Sequence, residues 1–120
     1  MPATLNGLVT WLASYRYSFT SERELQDGLA RALDEGGFGH EREHRLAPGD
    51  IVDFLVAPGI GLECKTEGSL SLVTRQLHRY SQHEAIGALL LVTSKSRHDN
   101  LPSEMNGKPV RVMVIRSGLA

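Results

Sequence analysis

The sequence predicts an α/β domain in which a mixed central β-sheet of about five strands is flanked by α-helices. Three observations carry that prediction. Helical and strand periodicities follow one another in the order helix, helix, three strands, helix, strand, strand. Two short apolar runs within residues 51–65 are joined by Pro58-Gly59, the pattern of a β-hairpin. Residues 86–93 (IGALLLVT) are apolar on both faces, as a central strand covered by helices on each side must be. With 120 residues the chain suffices for one domain, residues 1–120, in which residues 1–17 are an N-terminal helical addition to the core.

Each element has a local reason. Leu5, Leu8, Val9, Leu12 and Tyr15 recur at helical spacing, so a first helix is expected over about residues 4–16, with Trp11 on or beside its apolar face. A second helix is expected over residues 21–35, with Leu25, Leu29, Ala32 and Leu33 as its buried stripe and Gly36-Gly37 as its stop. Ser21 and Glu24 fit a capping box, in which Glu24 reaches back to the amide of the cap. Glu22 differs from Glu24: at about 100° per residue it falls near the Leu25/Leu29 stripe and is aimed toward the sheet. Residues 38–46 (FGHEREHRL) read as a polar edge strand. Its His40, Glu41, Glu43 and His44 have no spacing that suits a metal-ligand set.

The turn Ala47-Pro48-Gly49-Asp50 leads into the hairpin. Its first strand carries Asp53 and its second ends in Glu63-Cys64-Lys65. Alternation puts Glu63 and Lys65 on one face with Gly59 and Gly61, which should leave open space beside Glu63, and turns Cys64 into the opposite face as a core residue. A paired hairpin brings Asp53 toward Glu63 and Lys65. Two carboxylates and an ammonium at one end of a hydrophobic sheet need partners or a metal, and two hard oxygen donors suit Mg²⁺. A third helix is expected over residues 70–84, with Val73, Leu77 and Tyr80 inward and Gln76 one turn before Tyr80. A polar loop over residues 94–100, a short helix at residues 101–105 begun by Pro102, a turn at Asn106-Gly107 and a last strand at residues 110–115 complete the chain.

Composition narrows the classes. A hydrophobic fraction of 41% and a charged fraction of 22% are those of an ordinary globular protein, and no signal or membrane-spanning run is visible. The single cysteine excludes an internal disulfide and a cysteine-based zinc site, and it suits a reducing cytoplasm. The net charge of −1 weighs mildly against non-specific phosphate binding. Locally, however, Arg75, Arg79, Lys95 and Arg97 lie in a half of the chain with few acids nearby in sequence, and they are the candidate nucleic-acid contacts.

Taken together, Glu22-Arg23-Glu24-Leu25, Asp53 within IVDFLV, Glu63-Cys64-Lys65 and Gln76-Leu77-His78-Arg79-Tyr80 resemble the PD-(D/E)xK nuclease superfamily. They appear in order over about residues 22–115, each in the expected structural context. The first run looks like the opening of archaeal Holliday-junction resolvases. The Gln76/Tyr80 pair matches a pattern in exonuclease-like and VRR-NUC-like branches. Val52 replaces the proline that usually precedes the aspartate.

The resemblance implies a restriction-endonuclease-like core and a catalytic set of Glu22, Asp53, Glu63, Lys65, Gln76 and Tyr80. Asp53, Glu63 and the Cys64 backbone carbonyl would hold Mg²⁺ or Mn²⁺, and Glu22 would complete the acidic cluster. Lys65 would position the attacking water, and Gln76 and Tyr80 would steady the substrate strand or the catalytic groups. The implied activity is metal-dependent hydrolysis of DNA phosphodiesters by an endonuclease, with a structure-selective enzyme as the narrower expectation. No organic cofactor and no membrane partner are expected. Cutting both strands of a duplex needs two sites, hence a homodimer. The alternative is a non-catalytic nucleic-acid-binding or structural module on the same fold, which small size and near-neutral charge favour.

Overall fold

The computed structural model describes residues 4–116; the outermost residues of the expected 1–120 domain lie outside the described residues. The chain folds as α1 (Leu5–Ala13), α2 (Glu22–Glu35), β1 (His40–Ala47), β2 (Asp50–Val56), β3 (Ile60–Lys65), α3 (Leu70–Ser81), β4 (Ala88–Thr93), a 3-10 helix (Ser96–Asn100), β5 (Glu104–Met105) and β6 (Lys108–Val114). The architecture is α/β, with three α-helices around a mixed six-stranded sheet of order β1-β2-β3-β4-β6-β5. Among the described residues no helix is long and apolar enough to cross a membrane.

The sheet separates two hydrophobic layers. On one face Leu8, Leu12, Leu25, Leu29 and Leu33 of α1 and α2 pack on Phe54, Val56, Leu62, Cys64, Leu90 and Val92. On the other, Val73, Leu77 and Tyr80 of α3 pack on Val52, Leu89, Leu91 and Val110. Burial on both faces explains the unbroken apolar run of β4, every residue of which is buried. The Trp11 indole donates to the Ala32 carbonyl at 2.7 Å and so fastens α1 to α2.

Three expectations are corrected. Residues 101–105 are not a helix: Glu104 and Met105 pair antiparallel with Pro109 and Lys108 across Asn106-Gly107, both at positive φ (51° and 75°). That is the geometry of a tight two-residue hairpin turn, and a two-residue strand is too short to leave a period in the sequence. It adds the sixth strand. The third helix stops at Ser81 rather than Glu84, where Lys108 Nζ takes the carbonyls of Ser81 (2.6 Å) and His83 (2.9 Å). No open space lies beside Gly61, because a Cβ there would sit 2.8 Å from Ile86 and 3.0 Å from Leu89.

The irregularity that matters for function lies in β2. Its β1 partner ladder pairs Arg42 with Phe54 and His44 with Val52, yet Val52 packs in the α3 layer and Phe54 in the α1/α2 layer. The side-chain alternation therefore switches at Asp53. Glu43, on the neighbouring strand between those paired positions, has φ 54°, a conformation uncommon outside glycine. On the other side, β2 and β3 pair only from Phe54–Leu62 to Val56–Ile60. Asp53 thus sits where β2 leaves β3.

Candidate active site

β3 pairs antiparallel with β2 and parallel with β4, so the sheet changes sense at the strand that carries Glu63, Cys64 and Lys65. Lys65 ends β3 at the carboxyl edge of the parallel strands, where α/β sheets commonly bind ligands. The parting of β2 from β3 just before this edge leaves backbone amides without ladder partners, and the two acids take them. Glu63 Oε1 accepts from the Asp53 amide at 3.0 Å, and Asp53 Oδ2 accepts from the Cys64 amide at 2.9 Å. Each carboxylate is pinned by the strand that carries the other, which fixes both without neutralising either.

Cys64 fills the α1/α2 layer, as alternation requires, and its thiol donates to Asp53 Oδ2 at 3.2 Å. Burial, followed by the nearby Asp53 charge, pushes that thiol far up, so it stays protonated and is a donor rather than a thiolate. Glu63 is 3% exposed, and among the described residues its cationic neighbour is the Lys65 ammonium, 3.7 Å from Oε2. Burial is the main reason its acidity weakens, the Asp53 charge the next, and Glu22 adds to both; Lys65 and the Asp53 amide oppose them, and Glu63 rises to about 8. Once Glu63 is ionised, two carboxylates face one ammonium, a donor set short of positive charge that a hard divalent cation could complete.

Glu22 is placed differently from the expectation. It opens α2 beside the loop that follows β3, but it is exposed and its Oε1 accepts from the Thr66 amide at 3.3 Å. Among the described residues no three His, Cys, Asp or Glu side chains converge as a metal-ligand group, so the acidic core is the pair Asp53–Glu63 with Glu22 beside it. The capping box is also modified: Ser21 accepts from the Glu24 amide at 3.1 Å, while the Glu24 carboxylate takes the Thr20 hydroxyl and not the amide of the cap.

Gln76 and Tyr80 lie as neighbours on α3 and bond each other, Gln76 Nε2 donating to the Tyr80 hydroxyl at 2.9 Å. That hydroxyl donates onward to the Ile51 carbonyl at 2.8 Å, two residues before Asp53. Tyr80 is 1% exposed, so it steadies β2 from within the core and offers no surface for stacking. Its phenol is raised mainly by burial and next by the Glu63 charge, which places it in the electrostatic field of the site.

Three of the four candidate nucleic-acid contacts are less free than their sequence neighbours suggest. Arg79 pairs with Asp50 at 3.1 Å, and Lys95 and Arg97 approach Glu67 at 3.8 and 4.0 Å. Arg75 is exposed on α3, where with His78, Arg79, Glu104, Met105 and Asn106 it borders a groove of about 590 Å³. On the polar strand β1, His44 meets Glu41 at 2.7 Å and His40 meets Asp34 at 3.6 Å.

Sequence reasoning missed Thr93 and His98. Thr93 is the ladder partner of Lys65, and both Thr93 and His98 are fully buried. The histidine sits in what reads as a polar loop, and its partners are distant in sequence except Thr93, so no local pattern marks it. No protein-family model matches the chain, and neither a curated protein nor a solved structure matches it.

Proposed function

We propose that this chain is a divalent-metal-dependent deoxyribonuclease, an endonuclease on a restriction-endonuclease-like core of the PD-(D/E)xK kind. The observation that carries the reading is the reciprocal locking of Asp53 and Glu63, with Lys65 beside them, where β2 and β3 part at the carboxyl edge of the sheet. Asp53, Glu63 and the Cys64 carbonyl are the groups that would hold Mg²⁺ or Mn²⁺. The ion would supply Lewis acidity and neutralise charge on the phosphodiester.

The remaining roles belong to the protein. Lys65, anchored at the end of β3, would orient the attacking water and hold a proton near it. Glu22, attached to Thr66, would shape the field at the entrance of the acidic pair. Gln76 and Tyr80 would act as positioning residues, keeping Ile51, and so the start of β2, in place. Arg75, Arg79, Lys95 and Arg97 would meet DNA phosphates, Lys95 and Arg97 by exchanging their long contacts with Glu67 for stronger ones. A homodimer would present two sites to the two strands of a duplex.

The test is cleavage of labelled single-stranded, duplex, flap and four-way-junction DNA by wild type and Lys65→Ala in Mg²⁺, in Mn²⁺ and in chelator. Expected is cleavage that requires the metal and falls roughly 100-fold or more in the variant. A wild type that binds Mn²⁺ but cuts none of these substrates would instead identify a binding module on the same fold.

A further inference from the structure

His98 is a fully buried ionisable side chain that the chemistry above leaves unused. Its Nε2 lies 2.8 Å from the Gly68 carbonyl oxygen. A carbonyl cannot donate, so Nε2 carries the proton. In the neutral ring Nδ1 is then an acceptor, and the Thr93 hydroxyl, 2.6 Å away, donates to it. Thr93 Oγ1 in turn accepts from the Lys95 amide at 3.0 Å. The relay is fully satisfied, and no buried side-chain nitrogen or oxygen among the described residues lacks a partner.

The ends of this relay are the two loops at the mouth of the site. Residues 66–69 follow Lys65, and residues 94–100 follow Thr93, its ladder partner. The Ser94 amide donates to the Lys65 carbonyl at 3.1 Å, and Arg97 Nε donates to the Gly68 carbonyl at 3.1 Å. The outer contacts, from Lys95 and Arg97 to Glu67, are long and involve a carboxylate that is 80% exposed. Such pairs hold little geometry by themselves. The buried imidazole is the rigid link between the loops.

We propose that His98 is a positioning residue that joins these loops into one rim and presents Lys95 and Arg97 to a nucleic-acid phosphate next to Lys65. This rests on the nucleic-acid reading of the site and adds which surface meets the backbone and what holds it in place. The Glu67 carboxylate occupies the two cations until a phosphate displaces it.

The experiment is metal-free binding of a short fluorescein-labelled DNA duplex, followed by anisotropy across a salt series. The proteins compared are wild type, His98→Leu, His98→Gln, a Lys95→Ala/Arg97→Ala variant, and that variant carrying His98→Leu. Loss of two phosphate contacts should lower the salt slope by about 2 in the Lys95/Arg97 variant. His98→Leu should weaken binding severalfold and lower the slope in the same direction, and it should add nothing once both cations are gone. Glutamine, which can donate to Gly68 and accept from Thr93, should restore most of the affinity and also covers the case in which leucine unfolds the protein. A wild-type slope in His98→Leu, or an equal further loss in the cation-free background, overturns the brace. Wild type that binds no duplex would overturn the rim together with the nucleic-acid reading, whereas metal-dependent cleavage with a His98-independent slope would overturn the brace alone.

Discussion

Asp50 and Asp53 stand three residues apart on β2, and the protein treats them in opposite ways. Asp50 Oδ1 meets Arg79 at 3.1 Å and Oδ2 meets His83 at 3.0 Å, so each oxygen has its own cationic or donor partner. Those partners, His83 first and Arg79 second, hold its carboxyl below the ordinary range. Asp53 has the amide and thiol of Cys64, and the Glu63 it interlocks with has one ammonium at 3.7 Å. There burial and mutual repulsion raise the Glu63 carboxyl to about 8. An acid that the fold neutralises is a structural clamp. An acid pair held in place but left short of positive charge is organised for something that arrives from outside.

The largest effects should come from changing the under-neutralised pair. In metal-free protein Glu63 binds a proton in the folded state up to about pH 8, whereas in the unfolded chain it releases that proton near 4.5. Over that window the folded state holds more protons, so stability falls as pH rises and levels off above 8. Urea unfolding from pH 5 to 9 should show this decline, on the order of a few kcal/mol. Glu63→Gln should flatten it, and millimolar Mg²⁺ should cancel most of it in wild type alone. Calorimetric Mn²⁺ affinity should drop in Glu63→Gln by more than the roughly 10–100-fold seen for outer ligand-shell changes. A wild-type curve indifferent to Mg²⁺ would overturn the proposed metal site.

A smaller effect, of opposite sign in pH, is expected at the clamp. Because Asp50 is held low, its contribution is present above its unfolded value of 3.8 and is lost as pH falls below it. Asp50→Asn should lower stability by about 1 kcal/mol at neutral pH, a few degrees in melting temperature, and the difference from wild type should vanish in acid. Mn²⁺ affinity should stay within about twofold of wild type. A large loss of metal binding in this variant would erase the distinction between the two acids.

The hairpin of β2 and β3 was legible because it is local: Pro58-Gly59 marks the turn, and alternation places Glu63 and Lys65 together with Cys64 opposite. The helices were legible for the same reason, with apolar stripes and a serine cap at Ser21, whereas the Ser69 cap of α3 is seen in the structure alone. What escaped the reading depends on residues distant in the chain. Nothing near Arg79, Lys95 or Arg97 announces Asp50 or Glu67 as partners, and nothing near His98 announces Gly68. The switch of faces at Asp53 is likewise invisible to a period-two reading, which puts Val52 and Phe54 on one face. The position of Glu22 was half legible: helical phase places it at the start of α2, but the Thr66 amide that takes its carboxylate belongs to a loop tied to Ser94 and the 3-10 helix.

Between the two acids lies Ile51, and its carbonyl is where Tyr80 attaches α3 to β2. Tyr80→Phe keeps the buried ring and deletes one hydroxyl, leaving the Ile51 carbonyl without this donor and Gln76 without its acceptor. The cost should be about 1 kcal/mol, since the ring that fills the α3 layer remains. If Tyr80 acts on the site only by holding β2, the variant should retain wild-type Mn²⁺ affinity within about threefold and lose cleavage rate by a similar small factor, with no change in its pH profile. Gln76→Ala should follow the same course more weakly, because it removes the donor to Tyr80 and leaves the contact with Ile51 intact. A shift in the pH profile of cleavage would instead place the phenol among the groups that touch the reacting atoms, and Tyr80 would then belong with Asp53 and Glu63 rather than with the frame that holds them.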